Sequence, residues 1–226
     1  MSMRNLHNAL QLKQLMLLKQ MGYAWTDIQP SDLENEPADL PYSLTALNKL
    51  VTDCHLCTLS KSRRRSVFGE GDEHAEVMFV GEGPGATEDS TGRPFVGRAG
   101  ELLTRMIENV LLLPRSRVYI ANIVKCRPPS NRVPTESEAL TCRPYLFRQI
   151  ELIQPRIVVT LGATAYRYLT NDTTPISRIR GNAISMPAYT LIPTFHPSYL
   201  LRNPSAKKAA FEDLKKIKAM MESAAH

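Results

Sequence analysis

Four short apolar or β-rich runs, each followed by a turn or a helical pattern, constrain this chain more than any other feature. They are Val77 to Val80, Val118 to Val124, Ile157 to Leu161 and Tyr189 to Pro193. Unbroken apolar runs of this length mark strands covered on both faces, the situation of a parallel sheet. Between them the period changes. Leu102, Leu103, Met106, Ile107 and Val110 recur at helical spacing, and Ala163 to Leu169 reads as a second helix. Thr135 with Glu138 forms a capping box that opens a helix running towards Ile153. Ser205 is placed to cap a last helix, with Ala210, Leu214, Ile217 and Met221 on one face. Strands alternating with helices predict an α/β fold, a parallel sheet with helices on both faces. Ligands of such folds sit beyond the carboxyl ends of the strands.

With 226 residues there is room for one full α/β domain and short extensions. Leu6, Leu10, Leu17 and Met21 predict an N-terminal helix stopped near Gly22, and Asp27 to Pro41 reads as an acidic linker with three prolines. Residues 1–44 are therefore set apart from a domain covering 45–226. The net charge of +6 suits a polyanionic partner without requiring one. Leu15 to Leu18 is bounded by Lys13 and Lys19 and makes a poor signal peptide, and no run approaches the roughly 20 apolar residues of a membrane span. The expectation is a cytoplasmic monomer.

Cys54 and Cys57 form a C-x2-C pair, Cys126 follows a predicted strand, and Cys142 falls inside a predicted helix. Two close and two distant thiolates can close a four-ligand shell around zinc or an iron–sulfur cluster, and spacing does not choose between them. Arginines follow three of these cysteines directly or closely (Arg63 to Arg65, Arg127, Arg143), as a solvated compensating rim or as a grip on phosphates.

Three further segments fall at strand ends. Gly81-Glu82-Gly83-Pro84-Gly85 lacks both the dinucleotide order of glycines and the Walker lysine, so it offers exposed backbone N–H groups to a planar ligand rather than a phosphate cradle. Glu88 and Asp89, two carboxylates, would oppose a phosphate there. Phe95, in Gly92-Arg93-Pro94-Phe95-Val96-Gly97, suits either a core or a stacking platform for a base. Asn122 interrupts an apolar strand, and its amide presents an acceptor and a donor side by side, matching the edge of uracil. The segment Thr194 to Pro204 carries His196 and then a proline-bounded loop of apolar residues, of the kind that pushes a leucine into a base stack.

Taken together, C-x2-C, G-E-G-P-G with the later E-D and G-R-P-F-V-G, N-I-V-K-C-R-P-P, the fourth cysteine and H-P-S-Y-L-L-R resemble the family 4 uracil-DNA glycosylases over about residues 45–215. The resemblance implies a three-layer α/β/α sandwich with a central, mostly parallel four-stranded sheet. It implies a structural 4Fe–4S cluster on Cys54, Cys57, Cys126 and Cys142, and uracil-containing DNA, single- or double-stranded, as substrate. Uracil would be held by Glu82 and Gly83, stacked on Phe95 and recognised by Asn122, with Glu88 at the same pocket. His196 would donate to the uracil carbonyl as charge builds on the leaving base. Leu200 would fill the gap left by the flipped nucleotide, with Ser198 and Arg202 near the phosphates.

Gly83 stands where better-known glycosylases of this superfamily carry a water-activating aspartate, so Glu88 and Asn122 become the candidates for that duty. Gly85 stands where some relatives place a thymine-excluding tyrosine, which passes that duty to another group, Glu88 being the candidate. The stretch Lys125 to Arg132 has no histidine, so covalent trapping of DNA is not expected. The competing readings are a non-catalytic DNA-binding or polymerase-associated module and a zinc protein. Contact with a replication clamp or polymerase is left open.

Overall fold

A computed structural model of the chain describes residues 40–223; the helix expected over Leu6 to Met21, and the linker as far as Asp39, lie outside the described residues. The strands are β1 (Glu70–Gly71), β2 (Val77–Gly81), β3 (Tyr119–Asn122), β4 (Ile157–Leu161), β5 (Ile184–Ser185) and β6 (Thr190–Thr194). They form one sheet in the order β1-β3-β2-β4-β6-β5. The four inner strands run parallel, as the buried runs predict. The two-residue strands β1 and β5 add antiparallel edges to the expected four.

The helices are α1 (Leu44–Thr52), α2 (Ala86–Thr91), α3 (Arg98–Met106), α4 (Glu136–Ile153), α5 (Ala163–Thr170), α6 (Ile176–Ile179), α7 (Pro197–Arg202) and α8 (Lys207–Glu222). Strand side chains alternate between faces. Met78, Val80, Ala121 and Val158 pack with Leu47 and Val51 of α1 and Leu146 of α4, while Val77, Phe79, Ile120 and Val159 pack with Leu103 of α3 and Leu214 and Ile217 of α8. The result is three layers. Among the described residues no helix is long and apolar enough to cross a membrane.

The Thr135–Glu138 capping box forms as read: Thr135 accepts from the Glu138 N–H, and the Glu138 carboxylate accepts from the Thr135 N–H. Two local expectations do not hold. The last helix begins at Lys207, because Ser205 is taken up in a 3-10 turn over Pro204–Ala206. The apolar residues after His196 form not a loop but helix α7, with the His196 side chain as its N-cap and Pro197 in its first turn.

The parallel register matters most at the strand ends. Gly81 pairs with Asn122 and Leu161 with Thr194, so the residues that follow all four strands emerge at one level.

Candidate functional site

At that level opens a cleft of about 930 Å³. Every residue expected to hold the base or act on it lines it: Glu82, Gly83, Glu88, Phe95, Asn122 and His196. The closeness of ring and amide can be read from Gly81. A Cβ there would lie 2.4 Å from Asn122 Oδ1 and 2.5 Å from Phe95 Cζ, so only glycine leaves both in place. Gly83 is equally confined, since its Cβ would stand 2.7 Å from Val124 Cγ2. The Phe95 and His196 rings stand 5.7 Å apart, tilted by 35°.

Phe95 adopts a left-handed backbone, φ 51°, which costs a bulky residue about 1–3 kcal/mol and persists only where the surroundings fix it. They do. The Pro94 carbonyl accepts from Arg115 Nη2 at 2.7 Å, and Arg115 is itself ion-paired to Glu70 at 2.8 Å. Glu88 Oε1 accepts the N–H groups of Val96 and Gly97, each at 2.9 Å, and its Oε2 accepts the Gly85 N–H at 3.1 Å. Glu88 thus staples the glycine turn to the Phe95 loop. Both its oxygens are engaged, which fits a loop brace better than a group free to activate water.

Asn122 is 1% exposed, and its Oδ1 has no partner among the described residues. Its main-chain carbonyl accepts from the amine of Lys125 at 2.9 Å. Glu82 Oε2 accepts from Thr164 Oγ1 at 2.5 Å, which turns that carboxylate towards the start of α5.

His196 is fixed by its own cap. The Ser198 N–H can only donate, and it donates to His196 Nδ1 at 3.1 Å, so the neutral ring carries its proton on Nε2. The Ser198 hydroxyl lies 2.8 Å from the same nitrogen. Enclosure in the fold, and then the nearby Arg202 charge, lower the His196 pKa to about 4. The imidazole is therefore neutral near pH 7, a donor without charge. Gly162, at φ 91°, lets the chain pass with its Cβ position only 3.1 Å from His196 Cβ.

Of the three residues after His196 expected at the DNA, Ser198 and Arg202 line the cleft and Leu200 does not. Leu200 is 1% exposed and points inward from α7. Ser198 is taken up with the His196 ring. Arg202 is exposed on the cleft rim, as a phosphate contact requires. Sequence reasoning missed Lys125, Thr164 and Arg115, each of which has a partner far along the chain that no local pattern reports.

The four cysteines also come together. Cys54 and Cys57 follow α1, Cys126 lies four residues past β3, Cys142 sits on α4, and all four are free thiols around one small cavity. Arg63 Nη1 donates to Cys126 Sγ at 3.0 Å, the Lys125 N–H to Cys142 Sγ at 3.3 Å, and the Tyr145 hydroxyl to Cys54 Sγ at 3.4 Å. Burial pushes the Cys142 thiol up to about 12 and raises Cys57 and Cys126. Donors aimed at sulfur are what metal-bound thiolates use to spread their charge. Among the described residues no three His, Cys, Asp or Glu side chains are grouped to hold a single ion.

The description of the uracil-DNA glycosylase superfamily matches residues 68–215. Within it, the chain is 45% identical over 186 residues to the type-4 uracil-DNA glycosylase of Sulfurisphaera tokodaii, covering 79% of this chain and 84% of that protein. It is 46% identical to the type-4 enzyme of Thermotoga maritima over 179 residues, 77% of this chain and 93% of that one. The enzyme of the same name from Archaeoglobus fulgidus is 40% identical over 183 residues, 77% and 92% of the two chains. This chain belongs to the type-4 uracil-DNA glycosylases.

Proposed function

We propose that this protein excises uracil from DNA, hydrolysing the bond between the base and its sugar as the opening step of base excision repair. The observation that carries the reading is the convergence of Phe95, Asn122 and His196 on one cleft. A uracil swung out of the helix stacks on Phe95, while the Asn122 amide accepts from its N3–H and donates to its O4. As the glycosidic bond breaks, its electron pair leaves with the base and negative charge builds on O2. The His196 Nε2–H meets that charge. A neutral donor fixed by Ser198 needs no reorganisation at that moment. Glu82 and Gly83 bound the base from the first turn, Glu88 holds the loop that carries Phe95, and Arg202 meets a phosphate.

The substrate is uracil in single- or double-stranded DNA, and the glycosylase domain is residues 45–226, acting as a monomer. Cys54, Cys57, Cys126 and Cys142 are the proposed ligands of a 4Fe–4S cluster, since the four thiols line one small cavity and three of them receive hydrogen-bond donors. These cysteines would hold the group between α1, the β3 end and α4, where it would supply a structural cross-link. Brown colour and iron content of the purified protein check it.

The central test is release of uracil from a labelled oligonucleotide. His196→Ala is expected to slow excision about 100- to 1,000-fold, the usual cost of one lost oxyanion donor, and Asn122→Ala to weaken it as well. Equal rates in all three proteins would overturn the site assignment.

A further inference from the structure

The Oδ1 of Asn122 has no partner among the described residues, so the placement of its amide falls to the main chain that carries it. That main chain is the last position of β3, where the sheet runs out on one side. The Ile123 N–H still donates to the Gly81 carbonyl of β2 at 2.9 Å. On the other side β1 pairs only with Tyr119 and Ile120 and stops two residues before Asn122. A buried carbonyl facing that gap has no ladder donor and must find one elsewhere. Lys125 provides it, its Nζ donating to the Asn122 carbonyl oxygen at 2.9 Å. The peptide between Asn122 and Ile123 is thus fastened at both ends, its N–H to β2 and its C=O to Lys125. With that plane fixed, the direction in which the Asn122 side chain leaves the strand for the cleft is fixed too.

Lys125 is itself 1% exposed and is gripped by α4 at two points. Its N–H donates to Cys142 Sγ at 3.3 Å and its amine to Gln149 Oε1 at 2.5 Å. Cys142 and Gln149 lie two turns apart on one buried face of that helix. Gln149 in turn donates to the Phe68 carbonyl at 3.0 Å and to the Tyr119 hydroxyl at 3.3 Å. Both acceptors of the amine are neutral carbonyls, so two of its N–H groups satisfy them whatever the charge of the lysine.

We infer that Lys125 is a positioning residue for base recognition: it stands in for the missing strand neighbour of Asn122 and sets where the amide meets the uracil edge. The inference rests on the glycosylase reading and deepens it by naming what places the recognising group. Its hold on Cys142 runs through the main chain, which a change of side chain leaves in place.

Inhibition of excision by free uracil reads the base pocket apart from the contacts to DNA. Binding of an oligonucleotide with a tetrahydrofuran abasic site reads those contacts apart from the base. Lys125→Met keeps an unbranched side chain but loses the donor. Its Ki for free uracil is expected to rise about tenfold, or about 1.4 kcal/mol, the worth of one hydrogen bond. Affinity for the abasic oligonucleotide and iron content are expected to stay as they are. Leu214→Ala, in the layer on the far side of the sheet, measures plain destabilisation: its melting temperature falls and its Ki is kept. Should Lys125→Met not fold, Lys125→Gln, polar but too short to reach the Asn122 carbonyl, carries the same expectation. An unchanged Ki, an equal loss on the abasic oligonucleotide, loss of iron, or a matching rise in Ki for Leu214→Ala overturns the assignment. Those outcomes leave the glycosylase reading standing; absence of excision by the unaltered protein overturns that reading, and the role of Lys125 with it.

Discussion

The cleft and the cysteine cavity grow from the same strand end, four residues apart on the chain, yet they treat their polar atoms in opposite ways. In the cleft, Asn122 Oδ1 is buried without a partner, and the His196 cap engages Nδ1 while leaving Nε2 for a visitor. In the cavity, three of the four sulfurs already receive a donor from Arg63, Lys125 or Tyr145. An unpaired buried polar atom costs about 1–3 kcal/mol, which a guest returns by filling it. A surface meant for a passing base keeps that deficit open. A surface meant for a resident group closes it. Lys125 belongs to both, with its amine on the Asn122 carbonyl and on Gln149 and its N–H on Cys142.

The sharpest way to separate the two regions is Gly81→Ala. The added Cβ overlaps the Phe95 ring and the Asn122 amide, and overpacking of this kind costs about 1–3 kcal/mol. Excision is expected to fall roughly 10- to 100-fold, with iron content and colour unaltered. Loss of iron in that variant would break the separation, and kinetics beside an iron assay decide it. From the other side, Cys142→Ser is expected to strip the iron and lower the melting temperature by roughly 4–8 °C, about 2 kcal/mol for a chain of this size. Unchanged iron and melting would remove Cys142 from the ligand set.

The smallest effect concerns the brace beside the cavity. Glu138 accepts from Thr58, one residue past Cys57, and from Arg132. The Arg132 guanidinium, outweighing burial, holds the Glu138 carboxyl down to about 2 from its usual 4.5. A depressed folded pKa contributes stability above the unfolded value and loses it as pH falls towards the folded one. The melting advantage over Glu138→Gln is therefore expected to be full above pH 5, worth roughly 2–4 °C, and to shrink steadily towards pH 2. A gap that stays constant across that range would rule out the ionised carboxylate as its source.

How much of this was legible in the residues depends on the distance between partners. The run Ile157 to Leu161 forms β4 with the expected bounds, because five apolar or β-branched residues between charged and glycine neighbours leave few alternatives. The Thr135–Glu138 cap was readable because its partners are three positions apart. Helix α7 escaped notice, for its cap is a histidine and its six residues are too short to show a period. Strands β1 and β5, two residues each, carry no alternation at all. Glu82, Gly83, Glu88, Phe95, Asn122 and His196, singled out from separate segments, line one cleft, but the inward turn of Leu200 and the stapling by Glu88 depend on contacts made only after folding. A fully buried lysine such as Lys125 has no sequence signal of its own.

The walls of the cysteine cavity come from distant stretches: Tyr145 and Cys54, bonded across it, lie 91 positions apart, and Thr58 and Glu138 beside it are separated by 80. Bringing such remote stretches together is slow, because loop-closure entropy is spent before any contact rewards it. During synthesis the first two thiols therefore emerge long before the last, and they wait unprotected until α4 docks. Closure of this region has to wait for α4, which supplies two of its walls, Cys142 and Tyr145.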